Sequence, residues 1–140
     1  MTHRRVRLFG YVVIERGVGE FGPIYSGIRG QDAVNFLLQA KSGEVLAAFM
    51  HSVLGPIDLV WGVETVGERK GFGLAKIIQK HPEAIHSLTE AIKNSEIVEE
   101  LPDRRVLLSR DHDQQSVIDL QFNNKSKKWL LTSYFLIKIT

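Results

Sequence analysis

Three strand-like runs close the chain, and the short turns between them leave little choice of topology. Arg105 to Arg110, Ser116 to Phe122 and Trp129 to Ile139 are rich in β-branched, aromatic and aliphatic residues. Arg110-Asp111-His112-Asp113 and Asn123-Asn124-Lys125-Ser126 separate them with residues that favour tight turns. A parallel crossover needs a dozen or more residues, so strands joined this closely predict an antiparallel meander. Alternation along the last run puts Trp129, Leu131, Ser133 and Phe135 on one face and Leu130, Thr132, Tyr134 and Leu136 on the other. Both faces are largely apolar, which predicts a central strand. The hydroxyls of Thr132, Ser133 and Tyr134 in its middle must find partners or open onto a cleft. Strand propensity alone accounts for Thr132 and Tyr134 but not for Ser133.

The preceding sequence alternates helix and strand signals. Gln31 to Lys41 reads as a helix on the spacing of Ala33, Phe36, Leu37 and Ala40. Glu44 to Ser52 and Ile57 to Trp61 read as a hairpin around the Gly55-Pro56 turn, followed by a loop over Val63 to Gly71. Phe72 to Lys80 reads as a short helix with Leu74, Ile77 and Ile78 inward. Pro82 opens a second helix running to about Asn94, which Ile97 to Leu101 extends or follows. Val6 to Ile14 is strand-like in composition, and the glycine-rich Glu15 to Gly30 reads as loop.

Length and composition bound the answer. At 140 residues the chain suits one domain. Residues 1–20 form an ill-defined segment and 21–140 the single domain. With no cysteine there is no disulfide framework, thiolate metal site or Cys nucleophile, and a reducing compartment, the cytoplasm, is expected. The apolar runs fall short of the roughly 20 residues of a membrane span. Glu15 and Arg16 break the N-terminal apolar run, which reads against a signal peptide. The net charge is only +2, but it is unevenly spread. Arg69 to Lys80 holds four bases and no acid, whereas Glu83 to Glu100 holds five acids against Lys93. The closing segment from Leu101 has seven bases and four acids. A basic surface from the first and third of these segments suits a polyanion, and a mixed solvated surface is the alternative.

Candidate chemistry gathers at one histidine. His81 follows Lys80 at a helix end, where the helix dipole favours the protonated ring and nearby lysines oppose it. It is either a titrating group or a cap on the last turn. Lys76 and Lys80 lie four apart, a repulsive spacing that suits an anion or a solvated face. Asp111-His112-Asp113 lacks partner histidines at metal-ligand spacing, so no metal site and no cofactor are expected. No GxSxG elbow, phosphate-binding P-loop or HExxH pattern is present.

Three stretches resemble a known family: Ile57-Asp58-Leu59-Val60-Trp61-Gly62, Gly71-Phe72-Gly73-Leu74-Ala75-Lys76-Ile77-Ile78-Gln79-Lys80-His81-Pro82, and Trp129-Leu130-Leu131-Thr132-Ser133-Tyr134. They are similar to the phage-associated endoribonuclease-like domains of the superfamily that holds barnase, EndoU nucleases, tRNA-cleaving colicins and RelE toxins, over roughly Phe21 to Ile137. The resemblance implies an α+β fold, with helices packed on a four- or five-stranded antiparallel sheet of barnase/RelE type; to this the N-terminus adds a hairpin. It also implies metal-independent cleavage of RNA, tRNA among the targets, by 2′-hydroxyl attack to a 2′,3′-cyclic phosphate. On that reading His81 is general acid or base, Lys76 and Lys80 are phosphate-side cations, and Thr132 and Ser133 are hydrogen-bond donors. Arg105 or Arg110 adds a second cation, and Tyr134 stacks or bonds. The implied setting is a phage- or mobile-element-borne toxin, part of a larger phage protein and held by a protein inhibitor, an antitoxin or immunity protein. The alternative is a catalytically inactive phage structural or protein-interaction module of the same fold.

Overall fold

A computed structural model describes residues 3–136 of the chain. Nine strands form one sheet: β1 (Arg4–Leu8), β2 (Tyr11–Gly19), β3 (Gly22–Ser26), β4 (Glu44–His51), β5 (Gly55–Val60), β6 (Glu96–Leu101), β7 (Arg104–Ser109), β8 (Gln114–Phe122) and β9 (Lys125–Phe135). Three helices accompany them, α1 (Gly30–Ala40), α2 (Gly73–Lys80) and α3 (Leu88–Lys93), with a 3-10 turn over Pro82–Ala84. The strand order is β1-β2-β3-β4-β5-β9-β8-β7-β6. Neighbours are antiparallel except β3 with β4 and β5 with β9, which are parallel. Helix α1 makes the crossover from β3 to β4, as a parallel pair requires.

Turn chemistry sets the meander. Asn123 and Asn124 both take positive φ, 48° and 65°, between the paired Phe122 and Lys125. Asparagine tolerates this two-residue hairpin geometry, whose twist matches the flanking strands. One face of the sheet carries Val45, Ile57, Leu59, Leu107, Ile118 and Leu130, and it packs with Phe36, Leu37, Leu74, Ile77, Leu88 and Ile92 of the helices. Helix α2 starts in close contact with the end of β5. A Cβ on Gly62 would lie 2.1 Å from the Phe72 carbonyl oxygen, and one on Gly73 2.8 Å from that of Trp61. Both residues also have φ of +76°, so glycine is required twice over at this junction.

The two halves of the sheet meet at β5 and β9, whose ladder holds one residue pair, Asp58 with Trp129. A part-buried charge cluster reinforces it. Lys127 Nζ lies 2.5 Å from Glu44 Oε1 and 2.6 Å from Asp58 Oδ2. Asp58 Oδ1 also accepts the Ala47 N–H at 2.8 Å, inside a β4 bulge where Ala47 has φ of 53°. Burial opposes the Lys127 charge, but the hydrogen bonds and charges of Asp58 and Glu44 outweigh it and raise its pKa above 10.5.

The α+β class and the N-terminal hairpin, β1 with β2, are present. The sheet corrects the expectation of four or five antiparallel strands: it has nine and is mixed. Glu15 to Gly30 is largely strand rather than loop, because a bulge between Glu15 and Val18 absorbs Gly17 while β2 continues and pairs with β3. Pro82 begins a 3-10 turn, and α3 starts only at Leu88. Ile97 to Leu101 is the edge strand β6, tied to its neighbourhood by Arg105–Glu100 and Arg110–Glu96 ion pairs. The strand expected to run to Ile139 ends at Phe135; residues 137–139 of that expectation lie outside the described residues. No helix among the described residues is long and apolar enough to cross a membrane.

Replacing Lys127 by methionine leaves Glu44 and Asp58 as uncompensated carboxylates. The expected loss is about 3–5 kcal/mol in urea unfolding at neutral pH. In the unaltered protein the Lys127 contribution is complete below pH ~10.5 and is lost as pH rises through its raised folded-state pKa. Equal alkaline sensitivity in both proteins would remove Lys127 as the cause.

Candidate active site

Helix α2 turns Leu74 and Ile77 into the core, which leaves Lys76 on its other side. Lys76 Nζ donates to Thr132 Oγ1 of β9 at 2.7 Å. The helix ends at His81, whose N–H still donates to the Ile77 carbonyl at 2.7 Å while its own φ, −141°, has left the helix. The imidazole is half-buried against Tyr134, with ring centroids 5.5 Å apart. Among the described residues its ring nitrogens take no hydrogen bond. One end of α2 and the middle of β9 therefore share a cleft.

The Val63–Phe72 loop forms the opposite wall. Gln79 Oε1 accepts the Thr65 N–H at 2.7 Å, and Gln79 Nε2 donates to the Thr65 carbonyl at 3.0 Å. The Gly71 N–H donates to Thr65 Oγ1 at 2.9 Å. This clamp holds the loop to α2 and brings Lys70 and Phe72 to the opening. The cleft encloses about 690 Å³ and is lined by Lys70, Lys76, Lys80, Arg104, His81, Thr132 and Tyr134 together with Thr65, Gly71, Phe72, Val117 and Leu131. Four of these side chains are cationic and none is a carboxylate. Burial, then the charges of Lys80 and Lys70, lower the pKa of Lys76. Burial, then Lys76, lower that of His81 below 6.5; Lys80 adds to this and Glu83 opposes it. At neutral pH the histidine is predominantly neutral and the lysine a more acidic ammonium than usual.

A bulge decides which hydroxyl reaches the cleft. Val117 pairs with Thr132 and Ile118 with Leu130, so Leu131 is the extra residue. The bulge precedes both hydroxyls, which therefore still face opposite ways. Thr132 opens onto Lys76, whereas Ser133 is fully buried behind the strand. There Ser133 Oγ lies 2.9 Å from both Ser116 Oγ and Gln114 Nε2, and Gln114 also donates to the Ala84 carbonyl at 3.0 Å. Ser133 is thus part of the network that seats the 3-10 turn after His81. Arg105 donates to the carbonyls of Leu101 and Arg104, and Arg110 pairs with Glu96 at 2.5 Å, both away from the cleft.

The structure gathers His81, Lys76, Lys80, Thr132 and Tyr134, and leaves out Ser133, Arg105 and Arg110. Arg104 and Lys70 are cleft residues that the sequence-based assignment omits. Lys70 sits in the acid-free basic run, a usable signal. Adjacent strand residues face opposite sides, so choosing Arg104 over Arg105 requires the register.

Residues 48–138 match the family described as phage-Barnase-EndoU-ColicinE5/D-RelE like nuclease1, over more than half of the chain. The chain belongs to this family. The segment that matches this nuclease family contains every residue lining the cleft. No curated protein and no solved structure matches the chain.

Removing the Lys76 charge, as in Lys76→Met, is expected to raise the His81 pKa back towards 6.5. Histidine ring proton shifts followed by NMR between pH 4 and 8 measure this directly. A His81 midpoint already at 6.5 in the unaltered protein would show that burial and Lys76 do not lower it.

Proposed function

We propose that the chain is a metal-independent endoribonuclease. The observation that carries this reading is the acid-free cleft with four cations around a half-buried histidine of lowered pKa. Four cations without a carboxylate suit a phosphodiester. The neutral imidazole of His81 suits a general base. It takes the proton of a ribose 2′-hydroxyl, and the freed oxygen bonds to the adjacent phosphorus. The bond from phosphorus to the 5′-oxygen breaks, and that oxygen takes a proton from the Lys76 ammonium, acidified by burial and by Lys80 and Lys70. The products are a 2′,3′-cyclic phosphate and a free 5′-hydroxyl; deprotonation of Lys76 and protonation of His81 balance the step.

Thr132 accepts from Lys76, so its own proton is available to the charge that builds on the phosphorane oxygens. Lys70, Lys80 and Arg104 neutralise flanking phosphates, and Tyr134 fixes the imidazole plane. Tyr134 is itself held by Gln115, whose Nε2 donates to the phenol oxygen at 2.6 Å. RNA is preferred over DNA because the nucleophile is the 2′-hydroxyl. A role as a toxin follows from unrestrained RNA cleavage, and an acidic protein inhibitor would find its complement in the same four cations.

Cleavage of tRNA and of an unstructured RNA in EDTA tests the reading. The unaltered chain is expected to cut both, and His81→Ala to lower the rate at least ~100-fold. The rate is expected to rise with pH through the lowered pKa of His81 and to fall through that of Lys76. A 2′-deoxy substitution at the cleaved position should block the reaction. A requirement for magnesium, or indifference to the 2′-group, would overturn the mechanism; no cleavage of any RNA would favour an inactive module.

A further inference from the structure

Strands β1, β2 and β3 lie outside the segment that matches the nuclease family. Their register sorts the side chains cleanly. Val6 pairs with Val13, Leu8 with Tyr11 and Glu15 with Tyr25, and this face meets α1 through the contacts of Tyr11 and Tyr25 with Phe36. Arg5 pairs with Ile14, Arg7 with Val12 and Ile14 with Ser26, on the face that the helices leave open. Arg16 joins that face: its Nε donates to Ser26 Oγ at 2.6 Å, and its Nη1 lies 3.3 Å from His3 Nδ1. Arg5, Arg7 and Arg16 are exposed and take part in no ion pair among the described residues. The one nearby arginine that has a carboxylate partner, Arg4, is on the other face and pairs with Glu15 at 2.9 Å. Three arginines on one exposed face, with no ion-pair partner among the described residues, repel one another.

The same side of the sheet leads to the cleft, across a covered stretch where Glu44, Val60 and Trp129 are buried. Ile24 pairs with Glu44, Asp58 with Trp129, and Val117 with Thr132, so the side of β1 that carries Arg5 and Arg7 is the side of β9 that carries Thr132. β9 is five strand steps from β1, roughly 24 Å at the usual strand spacing. Sheet twist of about 20–25° per step turns the two ends well away from each other. A short strand in the cleft cannot touch the arginines, whereas a folded RNA wrapping the sheet can.

We infer that Arg5, Arg7 and Arg16 form a second phosphate-binding face that holds the body of a folded RNA while its cleaved position occupies the cleft. This inference rests on the ribonuclease reading for the identity of the polyanion. The guanidinium forks suit phosphate oxygens, and the contacts would be independent of base sequence.

Binding of fluorescent tRNA, measured against salt in a His81→Ala background, tests the face without cleavage. Arg5→Gln/Arg7→Gln/Arg16→Gln is expected to weaken binding about tenfold or more and to reduce the salt slope by about 2. The three corresponding lysine substitutions are expected to retain most of both. With His81 intact, the triple glutamine variant should cut a dinucleotide as fast as the unaltered chain. Unchanged tRNA affinity and slope would overturn the inference, as would equal losses in the lysine and glutamine variants. Loss of poly-glutamate binding alone would overturn it in favour of an acidic protein. If no form of the chain cuts RNA but the triple variant loses tRNA binding, the ribonuclease reading fails and the basic face stands.

Discussion

A nine-stranded sheet joined through one residue pair needs a second fastening, and the Lys127–Glu44–Asp58 cluster provides it. The three side chains come from β9, β4 and β5, one from each strand next to the joint and one from the strand beyond. Glu44 is only 4% exposed, so its charge is tolerated because the ammonium stands beside it. The Asp58 carboxylate serves both neighbouring strands, since one oxygen meets Lys127 of β9 and the other holds the strained backbone of the β4 bulge. Everything in the cleft depends on β9 being seated correctly against β5, because α2 starts from β5 and its lysine reaches β9.

That seating explains how a short helix forms a chemical site. Gly62 and Gly73 allow α2 to begin in contact with β5, and the eight residues to Lys80 carry the chain to His81. The buried serine and glutamine network then seats the 3-10 turn that follows. His81 is thereby held between a helix that cannot retreat and a turn that is hydrogen-bonded into the core. The pKa values of Lys76 and His81 are both lowered first by burial, and the Lys76 charge then lowers that of His81 further.

Much of this was legible in the sequence where periodicity was strong. The tight turns of the meander and the Leu74 and Ile77 stripe of α2 are visible without coordinates, although Ile78, expected inward, is exposed. That Lys76 and His81 act together with the final strand was implied by the family resemblance and not by periodicity. The size of the sheet was not visible. Strand β3 is short and begins with Gly22-Pro23, and β6 is a polar edge with Glu96, Glu99 and Glu100, so neither has the alternation of a half-buried strand. The parallel joint of β5 with β9 pairs residues 71 positions apart, Asp58 and Trp129, and leaves no local signal. Within the site, the partition of Thr132 and Ser133 follows from strand alternation. Which of the two meets the lysine depends on the Leu131 bulge, which only the pairing reveals.

The clamp between Gln79 and Thr65 has a consequence for substitutions in the loop it holds. Both amide hydrogen bonds engage the main chain of residue 65, and they do not read its side chain. The hairpin tip beyond, closed by the Val66 and Arg69 bridge, is exposed and packs on nothing in the core. Substitutions at Val66, Glu68 or Arg69 leave both hydrogen bonds of Gln79 in place, whereas Gly67, at φ of 58°, suits few residues with a side chain. The tip of the loop is therefore mechanically separate from the groups that hold His81 and Lys76.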